Sequence, residues 1–228
     1  MEASAVNEGE GPKSQDFQTD SSNEEVVDVI DVSEEDALRA NFYALLARVL
    51  ARPMDDDTLA FVRDLDGHDD SSELGAALGA FGALAARTSR AVAEEEFTVL
   101  FYGQGAGGEI SPYASFYLTG LVYDKPLADL RDDMQELGIG VVDDNKEPED
   151  HIASLCEMMH GLINGGFGSG VADLARQREF FNRHLAPWAV RVFEDMEAAE
   201  GSNLYAPVGT VGRLFMGIEG EGFRMAAP

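Results

Sequence analysis

The side chains best suited to chemistry lie in the segment 147–159, which reads EPEDHIASLCEMM. Its proline and its acids are typical of a helix start, because the positive end of the helix dipole favours negative charge there. A helix is therefore predicted over 148–164. On that helix Asp150 and Glu157 present two carboxylates about two turns apart on one face, with His151 at the edge of that face.

Two carboxylates on one face form an acidic, partly apolar patch that could bind a cationic ligand. A carboxylate accepts two parallel N–H bonds from a guanidinium group, which makes arginine a well-matched partner. The alternative is that Glu149 and Asp150 only cap the helix and bind no ligand. The spacing of the residues leaves both interpretations open.

Two other kinds of chemistry have weaker support in the sequence. Cys156 and His160 lie one helical turn apart, but two ligands make a poor zinc site, and Cys156 is interpreted as a small buried hydrophobic residue. The glycine-rich run 103–108 follows a predicted helix and lacks the Gly-Lys-Ser/Thr ending of a phosphate-binding loop. It is interpreted as a helix terminator. No catalytic residue, metal site or cofactor is predicted.

Helices are predicted to position these side chains. The sequence SEED at 33–36 predicts a capping box at the start of a helix that Pro53 ends. Pro126 and Gly138 suit the first turn and the C-terminal cap of another helix. Eight to ten helices with short connections, and no alternating strand pairs, predict an all-α fold class with a single globular multi-helix domain. The later helices are predicted at about 113–123, 126–137, 148–164, 170–184, 187–200 and 204–217.

The charge of the chain excludes several classes of partner. Its 43 Asp and Glu residues outnumber 16 Lys and Arg residues, which gives a formal net charge of −27. Nucleic-acid binding needs a basic surface, and anionic membranes would repel this chain, so no nucleic acid and no stable membrane insertion are predicted. No apolar run approaches the ~20 residues of a membrane helix. The first residues also lack the basic and apolar segments of a secretory signal.

Differences in composition along the sequence divide the chain into two parts. Residues 1–32 are predicted to be a disordered acidic tail, because such a polar segment cannot bury enough apolar surface to offset its ordering entropy. Residues 33–228 are predicted to form the helical domain. The single cysteine of the chain permits no internal disulfide, which fits a cytoplasmic location.

Five motifs, in this order, resemble the TorD/DmsD family of redox-enzyme maturation chaperones, to which the NarJ-type chaperones are related. The resemblance runs from about Glu34 to Met216 and implies an all-helical fold. The motifs are Phe42–Ala47 with Pro53, Phe97–Gly108, Ser111–Ser115 with Tyr117, Glu147–His151 followed by Glu157–Met159, and Phe180–Phe181 with His184–Trp188.

The resemblance implies a binding function without catalysis. Members of this family bind the twin-arginine signal peptide, or the body, of an apo molybdopterin oxidoreductase in the cytoplasm. They hold it for cofactor insertion and assembly before export. The predicted peptide-binding residues are Phe97, Leu100, Phe101, Pro112, Tyr113, Ser115, Glu147, Pro148, Asp150, His151 and Glu157.

The chemistry of such a ligand suits these residues. A twin-arginine signal offers two guanidinium groups beside an apolar run, so its binder needs carboxylates next to hydrophobic surface, and a negative field would steer it. Two alternatives stay open: a NarJ-like assembly factor for a non-exported molybdoenzyme subunit, and a nucleotide-dependent accessory factor. A monomer and a domain-swapped dimer, hinged at 103–111 or 138–147, are both compatible with the sequence.

Overall fold

The computed structural model describes residues 32–65, 71–103, 107–140, 147–168 and 170–226, all within one compact unit. These residues form ten α-helices and no strand, which confirms the predicted all-α fold class. The tail predicted at 1–32 lies, up to residue 31, outside the described residues. The helices are α1 Glu34–Leu50, α2 Asp56–Arg63, α3 Glu73–Ala85, α4 Arg90–Phe97, α5 Ala114–Thr119, α6 Lys125–Leu137, α7 Ile152–Asn164, α8 Leu174–Phe180, α9 Ala189–Ala198 and α10 Ala206–Met225.

Two of the predicted helix boundaries follow from local capping. The Ser33 hydroxyl accepts the N–H of Asp36 at 3.1 Å, which confirms Ser33 as the N-cap of α1, and the Asp36 carboxylate accepts from the Ser33 hydroxyl at 2.8 Å. Gly138 ends α6 in a left-handed conformation with φ 70°, as its predicted C-terminal cap requires. Such caps need only neighbours within a few residues, so they are readable in the sequence.

The core forms where α1 packs along α7 and where α10 packs along both α9 and α3. Tyr43 and Phe215 meet edge to face at 4.8 Å between α1 and α10. At Gly212 a Cβ atom would lie 2.2 Å from the Phe193 ring, so α9 and α10 can approach this closely only without a side chain there. None of the described helices is long and apolar enough to cross a membrane.

The start of α7 differs from the predicted position. The helix begins at Ile152 and not at 148, because the N–H of Ile152 donates to the carbonyl of Pro112 at 2.9 Å. The carbonyl of Asp150 accepts the N–H of Ala114 at 3.0 Å. These two bonds form a single antiparallel bridge between Tyr113 and His151. His151 is extended, and the residues before it form a turn in which its N–H donates to the carbonyl of Pro148 at 3.2 Å.

The structure also contains two π-helical turns that the sequence pattern did not predict. Thr98–Tyr102 continues α4, and Phe181–Leu185 continues α8. Each turn is closed by a bond from the residue five positions later, Gly103 at 2.7 Å and Ala186 at 2.8 Å. The second turn brings residues 183 and 184 beside α6, next to the site described below.

Candidate functional site

The bridge between Tyr113 and His151 joins two segments that the sequence singled out separately. The Asp150 carboxylate accepts the N–H of Ser115 at 2.8 Å, and Nδ1 of His151 accepts the N–H of Ala153 at 3.0 Å. The hydroxyl of Tyr113 donates to the Glu147 carboxylate. The segment before α7 is therefore tied to the start of α5 by backbone and side-chain bonds together.

Asp150 is the most unusual group at this junction. It is 1% exposed, and only its Oδ2 atom is hydrogen-bonded; Oδ1 is buried with no partner among the described residues. The hydroxyl oxygen of Ser115 is also buried and has no hydrogen-bond partner among the described residues. Burying a carboxylate is costly unless donors replace the lost water, so the unpartnered oxygen leaves Asp150 able to accept further N–H bonds.

A hollow of about 100 Å³ adjoins Asp150 and lies among α5, α6, the start of α7 and the π-helical turn after α8. We call it the Asp150 hollow. Its walls are mostly apolar, and its volume is large enough for a guanidinium or ammonium group. Its lining residues are Ala114, Leu118, Pro126, Asp129, Leu130, Asp150, Leu155, Arg183 and His184.

The two basic side chains that line the Asp150 hollow share one partner, the Asp133 carboxylate. Asp133 accepts from Nη1 of Arg183 and from Nε2 of His184, both at 2.6 Å. Burial lowers the pKa of His184, although the bond to Asp133 opposes this effect. Burial also lowers the pKa of His151 to about 4, so this imidazole is neutral near pH 7. The Asp150 carboxylate thus has no neighbouring histidine charge to neutralise it.

The structure brings only some of the predicted site residues together. Pro112, Tyr113, Ser115 and residues 147–151 meet at the bridge before α7. Phe97 and Leu100 are buried in the core, 2% and 0% exposed, and the Phe97 ring packs against Phe101, Tyr102 and Tyr205. These two side chains belong to the core of the fold.

The predicted acidic face of α7 does not form as one surface. Asp150 precedes the helix and is buried, whereas Glu157 lies within α7 and is exposed. The two carboxylates therefore have different surroundings. Asp150 faces α5 through its bond to Ser115, because the bridge holds it there.

Several lining residues of the Asp150 hollow were not predicted as site residues. Leu118, Asp129 and Arg183 come from three separate elements, and nothing in their local sequence marks them. His184 pairs with Asp133 in a buried position. Only the packing of distant elements brings these side chains to one hollow.

The other predicted chemistries can be placed as well. Cys156 is fully buried, and burial raises the pKa of its thiol. Among the described residues, no three His, Cys, Asp or Glu side chains lie together as metal ligands would. The described part of the glycine-rich run follows the π-helical turn after α4 rather than a strand. At Gly103 a Cβ atom would lie 1.8 Å from the Gly107 carbonyl oxygen, so no side chain fits at Gly103.

A larger groove of about 580 Å³ lies between the start of α1 and the end of α10. Its buried ions are well partnered: Glu219 accepts two bonds from Arg39, at 2.8 and 2.9 Å, and one from Tyr43 at 3.0 Å. No unmet hydrogen-bonding capacity marks these ions as a ligand site. The Asp150 hollow is the better candidate, although it is smaller.

The sequence of this chain is similar to a known family model and to a known chaperone. The family model of the nitrate reductase delta subunit matches residues 68–194, more than half of the chain. The chaperone protein TorD of Vibrio atlanticus (strain LGP32) is 29% identical over 123 residues. That match covers 51% of this chain and 57% of the relative, so the similarity spans little more than half of TorD.

A solved structure has a similar fold. A protein described as a redox enzyme maturation protein from Archaeoglobus fulgidus superposes with a TM-score of 0.52 at 20% identity. The match covers 79% of this chain and 94% of that one, so it extends over most of both folds. The chain therefore belongs to the nitrate reductase delta subunit family, which groups it with TorD-like and NarJ-like redox-enzyme maturation chaperones.

Proposed function

We propose that this protein is a cytoplasmic chaperone that binds the twin-arginine signal peptide of an apo molybdopterin oxidoreductase. In this proposal it also holds the body of that enzyme during cofactor insertion and assembly, before export. The protein acts by binding and catalyses no reaction. Its own ligand contact is the Asp150 hollow, where one guanidinium group of the signal peptide is held.

One observation carries the proposal: Asp150 lines a hollow, and its buried carboxylate has an oxygen with no partner among the described residues. A guanidinium group supplies two parallel N–H donors and would satisfy that oxygen. Arginine is also weakly hydrated, so it enters a partly apolar hollow at a lower cost than lysine. Leu118, Leu130 and Leu155 offer apolar contact to the stem of such a side chain.

The charge of the whole chain supports the same ligand. A net charge of −27 creates a negative field that accelerates the encounter with a cationic peptide. This contribution is screened by salt, whereas a bond to a buried carboxylate is screened much less. High salt should therefore lower the association rate constant of the peptide. The effect of Asp150 on the dissociation rate constant should be the same at low and high salt.

The test is a titration of a fluorescently labelled twin-arginine peptide into the full chain and into Asp150→Asn. Asparagine keeps an acceptor for the Ser115 N–H but removes the negative charge. We expect an affinity loss of at least about 30-fold, which corresponds to the 2 kcal/mol or more that a buried charged partner contributes. Fluorescence anisotropy at fixed salt measures it.

Glu157→Gln is the matched control, because Glu157 belongs to the same predicted site but is exposed. An exposed carboxylate contributes about 0–1 kcal/mol, so this variant should bind almost as tightly as the unaltered chain. If Asp150→Asn and the unaltered chain bind the peptide with equal affinity, Asp150 does not contribute to the binding site. Failure of the unaltered chain to bind the peptide at all would refute the proposed function.

A second candidate is a NarJ-like assembly factor for a molybdoenzyme subunit that is not exported. The matched family model, that of the nitrate reductase delta subunit, favours it. Such a factor would bind the folded body of its client without needing a leader. Capture of a client from which the leader has been deleted, with equal yield for Asp150→Asn, would support this candidate over signal-peptide binding.

A further inference from the structure

The wall of the Asp150 hollow carries a guanidinium group of the protein itself. Arg183 and Asp150 both line this hollow of about 100 Å³. The Arg183 side chain is 49% exposed, and side chains with so much access to water change rotamer readily. Opposite charges attract strongly where little water screens them, so Arg183 can compete with a ligand for Asp150. Yet Oδ1 of Asp150 has no partner among the described residues, so another group must hold Arg183 elsewhere.

The Asp133 carboxylate on α6 is that group. Nη1 of Arg183 donates to Oδ1 of Asp133 at 2.6 Å, the length of a strong, charge-assisted hydrogen bond. Only 17% of the Asp133 side chain is exposed, so water and salt screen this ion pair less than a pair at the surface. No other acceptor among the described residues bonds to this guanidinium group. The position of Arg183 therefore depends on Asp133.

Asp133 is itself held in one orientation by His184. Nε2 of His184 bonds to Oδ2 of Asp133 at 2.6 Å, so each oxygen of this carboxylate has a partner. The imidazole is buried and packs against the Phe180 ring at 4.9 Å. The indole N–H of Trp188 donates to the His184 carbonyl at 2.7 Å and fixes the backbone there. A buried and packed partner orients the carboxylate that it bonds to.

The π-helical turn Phe181–Leu185 carries both partners of Asp133. An α-helix directs adjacent side chains about 100° apart. Arg183 and His184 are adjacent, and yet they bond to the two oxygens of one carboxylate. Turns of this kind occur frequently at functional sites. This one lies beside the Asp150 hollow, which indicates that its geometry serves the hollow.

We propose that Asp133 is a positioning residue that keeps the Asp150 hollow open by holding Arg183 away from Asp150. This inference rests on the proposed function, in which a guanidinium group of the ligand enters the hollow. Two forms of the site then compete: an open form with Arg183 on Asp133, and a closed form with Arg183 on Asp150. The ligand binds only the open form, so its apparent affinity falls in proportion to the open fraction.

The first experiment measures binding of a peptide with two adjacent arginines to four forms of the full chain. Asp133→Asn keeps hydrogen-bonding atoms beside His184 and removes the charge that attracts Arg183. The double variant adds Arg183→Gln, which removes the competing guanidinium group. The control, Asp132→Asn, makes the same change of charge at the next residue of α6, which is exposed and does not line the hollow. The fourth form is the unaltered chain, and thermal unfolding checks that every form folds.

We expect Asp133→Asn to bind the peptide about tenfold more weakly, as it would if the open fraction fell to about one tenth. The double variant should recover the affinity of the unaltered chain to within about twofold, since no arginine is then left to close the hollow. Asp132→Asn should bind like the unaltered chain. A purely structural role for Asp133 predicts no recovery in the double variant. Unchanged affinity of Asp133→Asn, or a loss that Arg183→Gln does not restore, overturns the inference.

The second experiment needs no peptide. Asp150→Asn is introduced into the unaltered chain and into Asp133→Asn, and urea denaturation gives the midpoint of each form. In the Asp133→Asn background the substitution should lower the midpoint, because it breaks the new pair between Arg183 and Asp150. In the unaltered background it should change the midpoint little. Equal shifts in the two backgrounds would show that Arg183 does not move to Asp150, which overturns the inference.

The two experiments separate this inference from the proposed function. If the unaltered chain does not bind the peptide, the proposed function fails, and the urea midpoints still decide whether Asp133 holds Arg183 away from Asp150. If the unaltered chain binds the peptide but the variants fail to behave as expected, the proposed function stands and the inference alone is wrong.

Discussion

Two of the buried carboxylates in the described part of the chain differ in how completely the protein satisfies them. Between α1 and α10, Glu219 accepts two bonds from Arg39 and one from Tyr43. Before α7, Asp150 accepts one bond, from Ser115, and its second oxygen has no partner among the described residues. Both groups are almost completely buried. They differ in how much of their hydrogen-bonding capacity the protein itself satisfies.

Burial alone therefore does not identify a binding site. The Arg39 guanidinium also bonds to Asp36 at 2.7 Å and Gln177 at 3.1 Å, and it lies over the Phe223 ring. Burial would lower the pKa of Arg39, but its bonds to Glu219 outweigh that effect and leave the pKa raised. Such a closed set of partners stabilises a fold. An open carboxylate is suited to a partner from outside.

The largest expected effect tests the closed cluster. Arg39→Met should lower the free energy of unfolding by about 3–5 kcal/mol, because it leaves the buried Glu219 charge without its bidentate partner. Urea denaturation measures the loss. The affinity for the twin-arginine peptide should stay unchanged, since Arg39 is not part of the Asp150 hollow.

The matched control replaces both partners with methionine. The double variant Arg39→Met with Glu219→Met should regain most of the lost stability, because no unpaired charge then remains in the core. If the single variant is as stable as the unaltered chain, the cluster does not stabilise the fold in the way described.

An intermediate effect tests the region before α7 through pH. Burial holds the pKa of His151 at about 4 in the folded chain, against 6.5 as its ordinary value. As the pH falls from 6.5 towards 4, the unfolded chain binds a proton that the folded chain does not. The folded state therefore loses stability over this window, by about 2 kcal/mol between pH 7 and pH 5.

His151→Asn should remove this contribution and keep an acceptor at the N-terminus of α7. Urea denaturation of both proteins at pH 7 and pH 5 measures the two changes, and their difference isolates His151 from the other histidines. Equal losses in the two proteins would show that His151 does not stay neutral across the window.

The smallest expected effect on stability belongs to the open carboxylate. Asp150→Asn should change the free energy of unfolding by less than about 1 kcal/mol, because asparagine retains the acceptor for Ser115 and removes a buried charge. The same urea denaturation measures it. A loss as large as that of Arg39→Met would mean that the two regions do not differ, and that Asp150 serves the fold.

The local features of the fold were predictable from particular residues. The boundary at Gly138 and the capping box at Ser33 were predicted because a cap depends on side chains within about four positions. The start of α7 was predicted wrongly from the same kind of reasoning. Pro148 and its neighbouring acids do resemble a helix start. In the bridge between Tyr113 and His151, however, the N–H of Ile152 donates to the carbonyl of Pro112, so the helix does not begin at Pro148.

The candidate site was predictable only in part. Tyr113, Ser115, Asp150 and His151 were predicted as one site and do meet, whereas Phe97 and Leu100 proved to be core residues. An apolar residue suits a core and a ligand pocket equally well, so sequence cannot separate the two.

The helical class, the acidic charge and most of the helix ends follow from composition and from near neighbours along the chain. The pairing of Glu219 with Arg39 across 180 positions, and the unpartnered oxygen of Asp150, follow from how distant helices pack. Whether a buried charge is satisfied depends on which distant donors the packing brings within about 3 Å. No local pattern of residues specifies that arrangement.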